Sequence, residues 1–151
     1  MIVLALVVGI IAGLRAAMAL VAVSWAAALG RLDLSGSWLA FLGWRYTPWI
    51  VSLLAIGELI TDQLPSTPSR KVPAQFGARV IAGGVAGGAI GIGLGTLAIG
   101  IVLGVVGAVI GTYGGAALRS RLAAAFGRDL PAALIEDVIA ILAAVLVVQS
   151  L

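Results

Sequence analysis

Six ionisable residues lie inside or at the edge of long apolar stretches: Arg15, Glu58, Asp62, Arg79, Glu136 and Asp137. Glu58 precedes Asp62 by one helical turn, so the two share a helix face. Glu136 and Asp137 fall within the first two turns of the last apolar segment, Arg15 lies deep in the first, and Arg79 opens the third. An ionised group at the middle of a bilayer costs about 2.5–3.5 kcal/mol on the insertion scale. Six of them therefore demand pairing, water or a function. Two chemistries fit. Carboxylates in a polar cavity can bind a proton or small cation, with Glu58 and Asp137 the leading candidates to titrate. Fully paired, the same groups fix helix register, with Asp62 and Glu136, nearer the span ends, serving the interface.

The order of the charges predicts their pairing. One hairpin reads acid, acid, loop, arginine (Glu58, Asp62, Arg79). The next reads arginine, arginine, loop, acid, acid (Arg119, Arg121, Glu136, Asp137). Packed side by side, Glu58 and Asp62 would meet Arg119 or Arg121, and Arg79 would meet Glu136 or Asp137. Arg15 would reach Glu58.

The elements that must hold these groups are apolar helices. From Val80 to Leu118 no residue is charged. As helix that run is roughly 58 Å long, nearly twice the hydrocarbon core, so it reads as two spans joined near Gly91–Gly95. Across the chain 62% of residues are hydrophobic and 10% charged, and mean hydropathy is +1.23. That places it outside the soluble class. Five apolar segments emerge: Ile2–Leu29, interrupted at Gly13-Leu14-Arg15; Tyr46–Leu64; Phe76–Gly93; Thr96–Leu118; and Pro131–Leu151. The start lacks a basic n-region and reads as a retained helix rather than a signal peptide.

The expected architecture is an all-α polytopic membrane bundle, one domain over residues 1–151, with about five transmembrane segments and a short interfacial helix. Arg70, Lys71, Arg119, Arg121 and Arg128 outnumber Arg31 and Arg45, which Asp33 partly offsets. The positive-inside rule then puts the richer loops, and with five spans the N-terminus, in the cytoplasm of a bacterial inner membrane. Were the first segment a pair of re-entering half-helices, the N-terminus would change sides and the rest would stand. A break at Gly13 would free backbone groups that only protein or a cavity can satisfy. The three prolines of Pro65–Pro73 read as a stiff connector.

Glycines recur every four residues. Gly83, Gly87 and Gly91 mark one face of the third segment, and Gly104, Gly107 and Gly111 mark the fourth. This glycine-zipper pattern predicts close backbone packing, within the chain or between copies, in preference to a glycine-lined pore. Trp38, Trp44, Tyr46 and Trp49 crowd between the first two spans. They read as an interfacial belt, with Ser35-Gly36-Ser37 able to cap a short surface helix.

Cys and His are absent, which removes disulfides, thiolate metal sites, most zinc sites and the commonest general base. No Ser-His or Cys-His set exists, and the Gly-x-Gly of Gly91–Gly95 lacks a strand before it. An all-carboxylate site of Glu58, Asp62 and Asp137 for a hard cation is conceivable. The chain is nonetheless expected to hold no metal or cofactor and not to be an enzyme.

With Gly13-Leu14-Arg15, Glu58-x-x-x-Asp62-x-x-Pro65, Arg79 and Glu136-Asp137, the chain resembles a family of small bacterial membrane proteins. This is the domain-of-unknown-function family four-one-two-six. The resemblance covers almost the whole chain. It departs at Ala16-Ala17-Met18-Ala19, where a proline would follow the Gly-Leu-Arg. It implies that Arg15, Glu58, Asp62, Glu136 and Asp137 act as a group, and it implies no reaction. The expected function is transport or permeation of a small ion or solute. The alternative is a non-transporting accessory or structural protein whose charges fix packing. Expected partners are lipid, a second copy as a homodimer and a small ion or solute, and no nucleic acid.

Overall fold

The computed structural model describes residues 1–64 and 72–151. Among these the chain forms six α-helices and one short 3-10 turn, with no strand. The helices are α1 Val3–Leu14, α2 Ala16–Ala28, α3 Thr47–Thr61, α4 Pro73–Gly93, α5 Leu97–Phe126 and α6 Asp129–Ser150. Only α4, α5 and α6 are long and apolar enough to cross a membrane.

The expectation of five spans is corrected to three for a physical reason. Arg15 takes an extended backbone, φ −144° and ψ 107°, and splits the first apolar segment into helices of 12 and 13 residues. Each is only about 18–20 Å long. The second segment yields the 15-residue α3, about 22 Å of helix.

Contacts along the helices give their directions. Gly9 of α1 packs on Gly104 of α5, and Gly13 packs on Ala108, Gly111 and Thr112, so α1 runs parallel to α5. α2 runs the other way. Its first residues meet Glu58 near the end of α3, Trp25 meets Ser52 and Trp49 nearer the start of α3, and Leu32 just beyond it reaches Gly93. Arg31 donates to the Val148 and Gln149 carbonyls at the end of α6. α1 and α2 are therefore a hairpin of half-helices. Both open toward the end of the bundle that holds Gly93 and Gln149, and their tip at Arg15 is plunged into its interior. This corrects the expectation that Met1 shares an end with Arg119, Arg121 and Arg128. It lies at the opposite end, as it must when the first segment folds back on itself.

The tight packing that permits this comes from glycine. A methyl group on Gly87 would strike the Gly100 carbonyl and lie 2.7 Å from the Gly104 Cα. One on Gly107 would lie 2.9 Å from the Gly9 Cα, and one on Gly111 3.0 Å from the Gly13 Cα. α5 thus uses one glycine face against α4 and another against α1, and backbone touches backbone on both. These glycine faces are taken up within the chain.

Trp38, Trp44, Tyr46 and Trp49 are each more than half exposed, around the end at which the half-helix hairpin opens. The short interfacial helix shrinks to the single 3-10 turn Ala40–Gly43, which no side chain caps. In the loop before it, Asp33 accepts from the Ser35 amide and hydroxyl, which hold its carboxyl below the ordinary range. The connector Pro65–Pro73 lies outside the described residues up to Lys71, Arg70 included.

Candidate functional site

The tip of the half-helix hairpin poses a backbone problem. A helix end leaves carbonyls or N–H groups without intrahelical partners, and an apolar interior holds no bulk water to take them. Here two helix ends face each other across one extended residue. Gly13 is the residue that lets them sit there, because a methyl in its place would lie 2.5 Å from the Ala108 carbonyl oxygen and the Thr112 nitrogen.

The charged side chains solve the problem. On the α1 side, Arg79 Nη1 donates to the carbonyls of Gly13 at 2.9 Å and Leu14 at 2.7 Å. On the α2 side, the two oxygens of Glu58 accept separately from the Ala16 amide at 2.9 Å and the Ala17 amide at 2.8 Å. The next amide, Met18, turns back to the Arg15 carbonyl at 3.2 Å. Each cap also carries the sign that its helix dipole favours: a cation at a C-terminus and an anion at an N-terminus. Arg79 and Glu58 themselves stand 3.9 Å apart.

Arg15 continues the network outward. Its guanidinium pairs with Asp62 and with Asp137, donating Nε to Asp137 Oδ1 at 2.8 Å. Glu136 lies 3.9 Å away. Arg119 then binds Asp62 at 3.1 Å and Glu136 at 3.4 Å, and closes on Asp129 at 2.6 Å. Gln63 donates to the free oxygen of Asp137 at 3.0 Å. Arg15 and Arg79 are 0% and 1% exposed. In such surroundings an uncompensated guanidinium would cost several kcal/mol, so the shared carboxylates are a condition of folding.

All six charges read from the sequence thus meet in one cluster, but three partnerships differ. Glu58 was expected on Arg119 or Arg121 and instead lies by Arg79 and the Ala16 and Ala17 amides. Arg15 was expected on Glu58 and instead binds Asp62 and Asp137, because Glu58 is spent on the α2 amides. Arg79 was expected on Glu136 or Asp137 and instead reaches the α1 carbonyls and Glu58. Asp62 does meet Arg119 as the charge order predicted, while Arg121 takes no part among the described residues. Three participants escaped the sequence reading. Gln63 offered no signal. Asp129 stood ten residues after Arg119, across the α5–α6 turn. Gly9 was visible in its spacing of four from Gly13.

Among the described residues no three carboxylates are grouped to hold a metal ion. They face guanidinium, amide and backbone N–H groups rather than a common centre. Comparison of the chain with protein-family models, with curated proteins and with solved structures finds no match to any of them.

Proposed function

We propose that this chain is a small integral membrane protein that passes or carries a small ion or solute at the broken-helix tip. One observation carries the reading: helix ends are opened in the apolar interior and then held by Arg79 and Glu58. Irregular backbone at membrane depth belongs where it lines a cavity or is buried in protein, and discontinuous helices of this kind build the sites of many transporters. A merely structural bundle gains nothing from the break that a continuous helix would not supply more cheaply.

In this reading the end bearing Arg119, Arg121 and Arg128 faces the cytoplasm. Met1 and the tryptophan belt face the other side of a bacterial plasma membrane. The kinship with family four-one-two-six belongs to the same reading and rests on the residues of this cluster. The accessory-protein alternative has its own support. Each of Glu58, Asp62, Glu136 and Asp137 already engages a guanidinium, and two of them also bind a side-chain amide or backbone N–H groups.

Proton or cation flux into liposomes separates the two. Flux that Glu58→Gln or Asp137→Asn abolishes, in protein that still folds, supports the conducting site. Absence of flux in the wild type, with both variants merely less stable, favours the accessory role.

A further inference from the structure

We infer that Glu58 is a proton-operated latch on the half-helix hairpin. As an anion it holds the first turn of α2 against α3. A proton taken up from water by that carboxylate releases the α2 half of the tip. The inference rests on the permeation reading for its use, and it deepens that reading by naming the group that gates the site.

Only the ionised form of Glu58 offers both oxygens as full acceptors, and a neutral carboxyl keeps one of the two bonds. The anion accepts from two amides with two oxygens. Once protonated, one oxygen carries an O–H that seeks an acceptor of its own, in a place lined by donors. The attraction between the charge and the α2 dipole is lost at the same moment. Ala16 and Ala17, in the first turn, have no intrahelical acceptor to fall back on.

Glu58 is also the most exposed of the four carboxylates around the hairpin tip. Its side chain is 21% exposed, against 14% for Asp62, 9% for Asp137 and 4% for Glu136. Asp62 binds two guanidinium groups and Asp137 binds Arg15 through two nitrogens. Among the described residues the guanidinium paired with Glu58 is that of Arg79, at 3.9 Å. Among the described residues, Arg79 from α4 faces it, with Arg15 at the tip and Asp62 one turn along its own helix. Beyond them, through Arg15 and Asp62, lie Asp137 and Glu136 on α6 and Arg119 on α5.

The release is one-sided. Arg79 holds the α1 carbonyls whether or not Glu58 is charged, so α1 stays docked on α5 while the start of α2 comes free. Arg15, the extended residue between them, is the hinge.

Hydrogen exchange on the full chain in nanodiscs tests this, with rates divided by the intrinsic chemical rate at each pH. On acidification between about pH 7 and pH 2, the range that brackets ordinary carboxylate titration, protection of Ala16 and Ala17 should fall. The fall should be roughly fivefold to tenfold, as expected for the loss of a helix cap, and α1 should not change. Glu58→Gln, which keeps one acceptor oxygen, should show the lowered protection at every pH, and Glu58→Asp should retain a pH step from a lower plateau. A flat wild-type profile, or a step that persists in Glu58→Gln, overturns the latch. Should Glu58→Gln fail to fold, ¹³C-carboxyl glutamate labelling decides, since the chain has only Glu58 and Glu136 to observe. A Glu58 signal that moves with the exchange step supports the latch, and one that stays still through the step overturns it. Exchange reads the latch whether or not anything crosses. A step without flux sinks permeation alone, and flux without a step sinks the latch alone.

Discussion

Glu58 and Arg79 cap the two sides of a single break in the chain, from two different helices, and stand 3.9 Å apart. Glu58 on α3 closes the start of α2, and Arg79 on α4 closes the end of α1. Each is thus satisfied twice, by a helix end of opposite partial charge and by the other residue. The caps of the hairpin tip thus come from both α3 and α4.

Removal of Arg79 should therefore be among the most damaging single changes. Arg79→Met takes a donor from the Gly13 and Leu14 carbonyls, of which Leu14 keeps only the 3.3 Å bond from Arg15, and leaves Glu58 without its guanidinium. The expected loss is about 3–5 kcal/mol, the range for breaking one partner of a buried ion pair. Arg79→Lys keeps the charge but not the planar fork and should cost less. Reversible unfolding in mixed micelles measures both. A loss under about 1 kcal/mol for Arg79→Met, the scale of an exposed pair, would contradict the burial argued here.

The hairpin reading makes a prediction about sidedness that a cysteine-free chain tests cleanly. Val3→Cys and Ser150→Cys should react with an impermeant maleimide from one face of a sealed vesicle, and Gly127→Cys from the other. If Val3→Cys shares a face with Gly127→Cys, the first segment crosses the membrane once and the re-entrant geometry is wrong.

Glycine substitutions should separate by position rather than by residue type. Gly104→Ala would drive a methyl into the Gly83 carbonyl and to within 3.0 Å of the Gly87 Cα. With backbone on the receiving side, a cost of about 1–3 kcal/mol is expected, as for overpacking. Gly114→Ala, on the same helix, meets nothing within 4 Å and should be neutral or stabilising by about 0.5–1 kcal/mol through helix propensity. Thermal unfolding of the two variants side by side should give opposite signs.

Much of this site was legible before any contact was known. Arg15, Glu58, Asp62, Arg79, Glu136 and Asp137 stood out because charge in apolar sequence is expensive, whatever the fold. The pairing of Asp62 with Arg119 followed from charge order along neighbouring hairpins. The partners of Arg15 and Arg79 did not. Charge order ranks carboxylates only as partners for arginines, and the winning competitors were backbone groups, which carry no residue signature. Glu58 went to two alanine amides and Arg79 to the carbonyls of Gly13 and Leu14.

By itself the sequence determined the apolar character of the chain, the interruption at Gly13–Arg15, the close-packing faces and the residues that had to find partners. These follow from composition and local spacing, which act on a segment wherever it lies. Only the tertiary structure decided that Ile2–Leu29 folds back as two half-helices instead of crossing once. An apolar run of that length suits either course. The choice turns on whether the freed backbone groups are satisfied, and the groups that satisfy them lie 42 residues away at Glu58 and 66 residues away at Arg79. No local pattern encodes so distant a cap. It exists once α3 and α4 have packed around the tip.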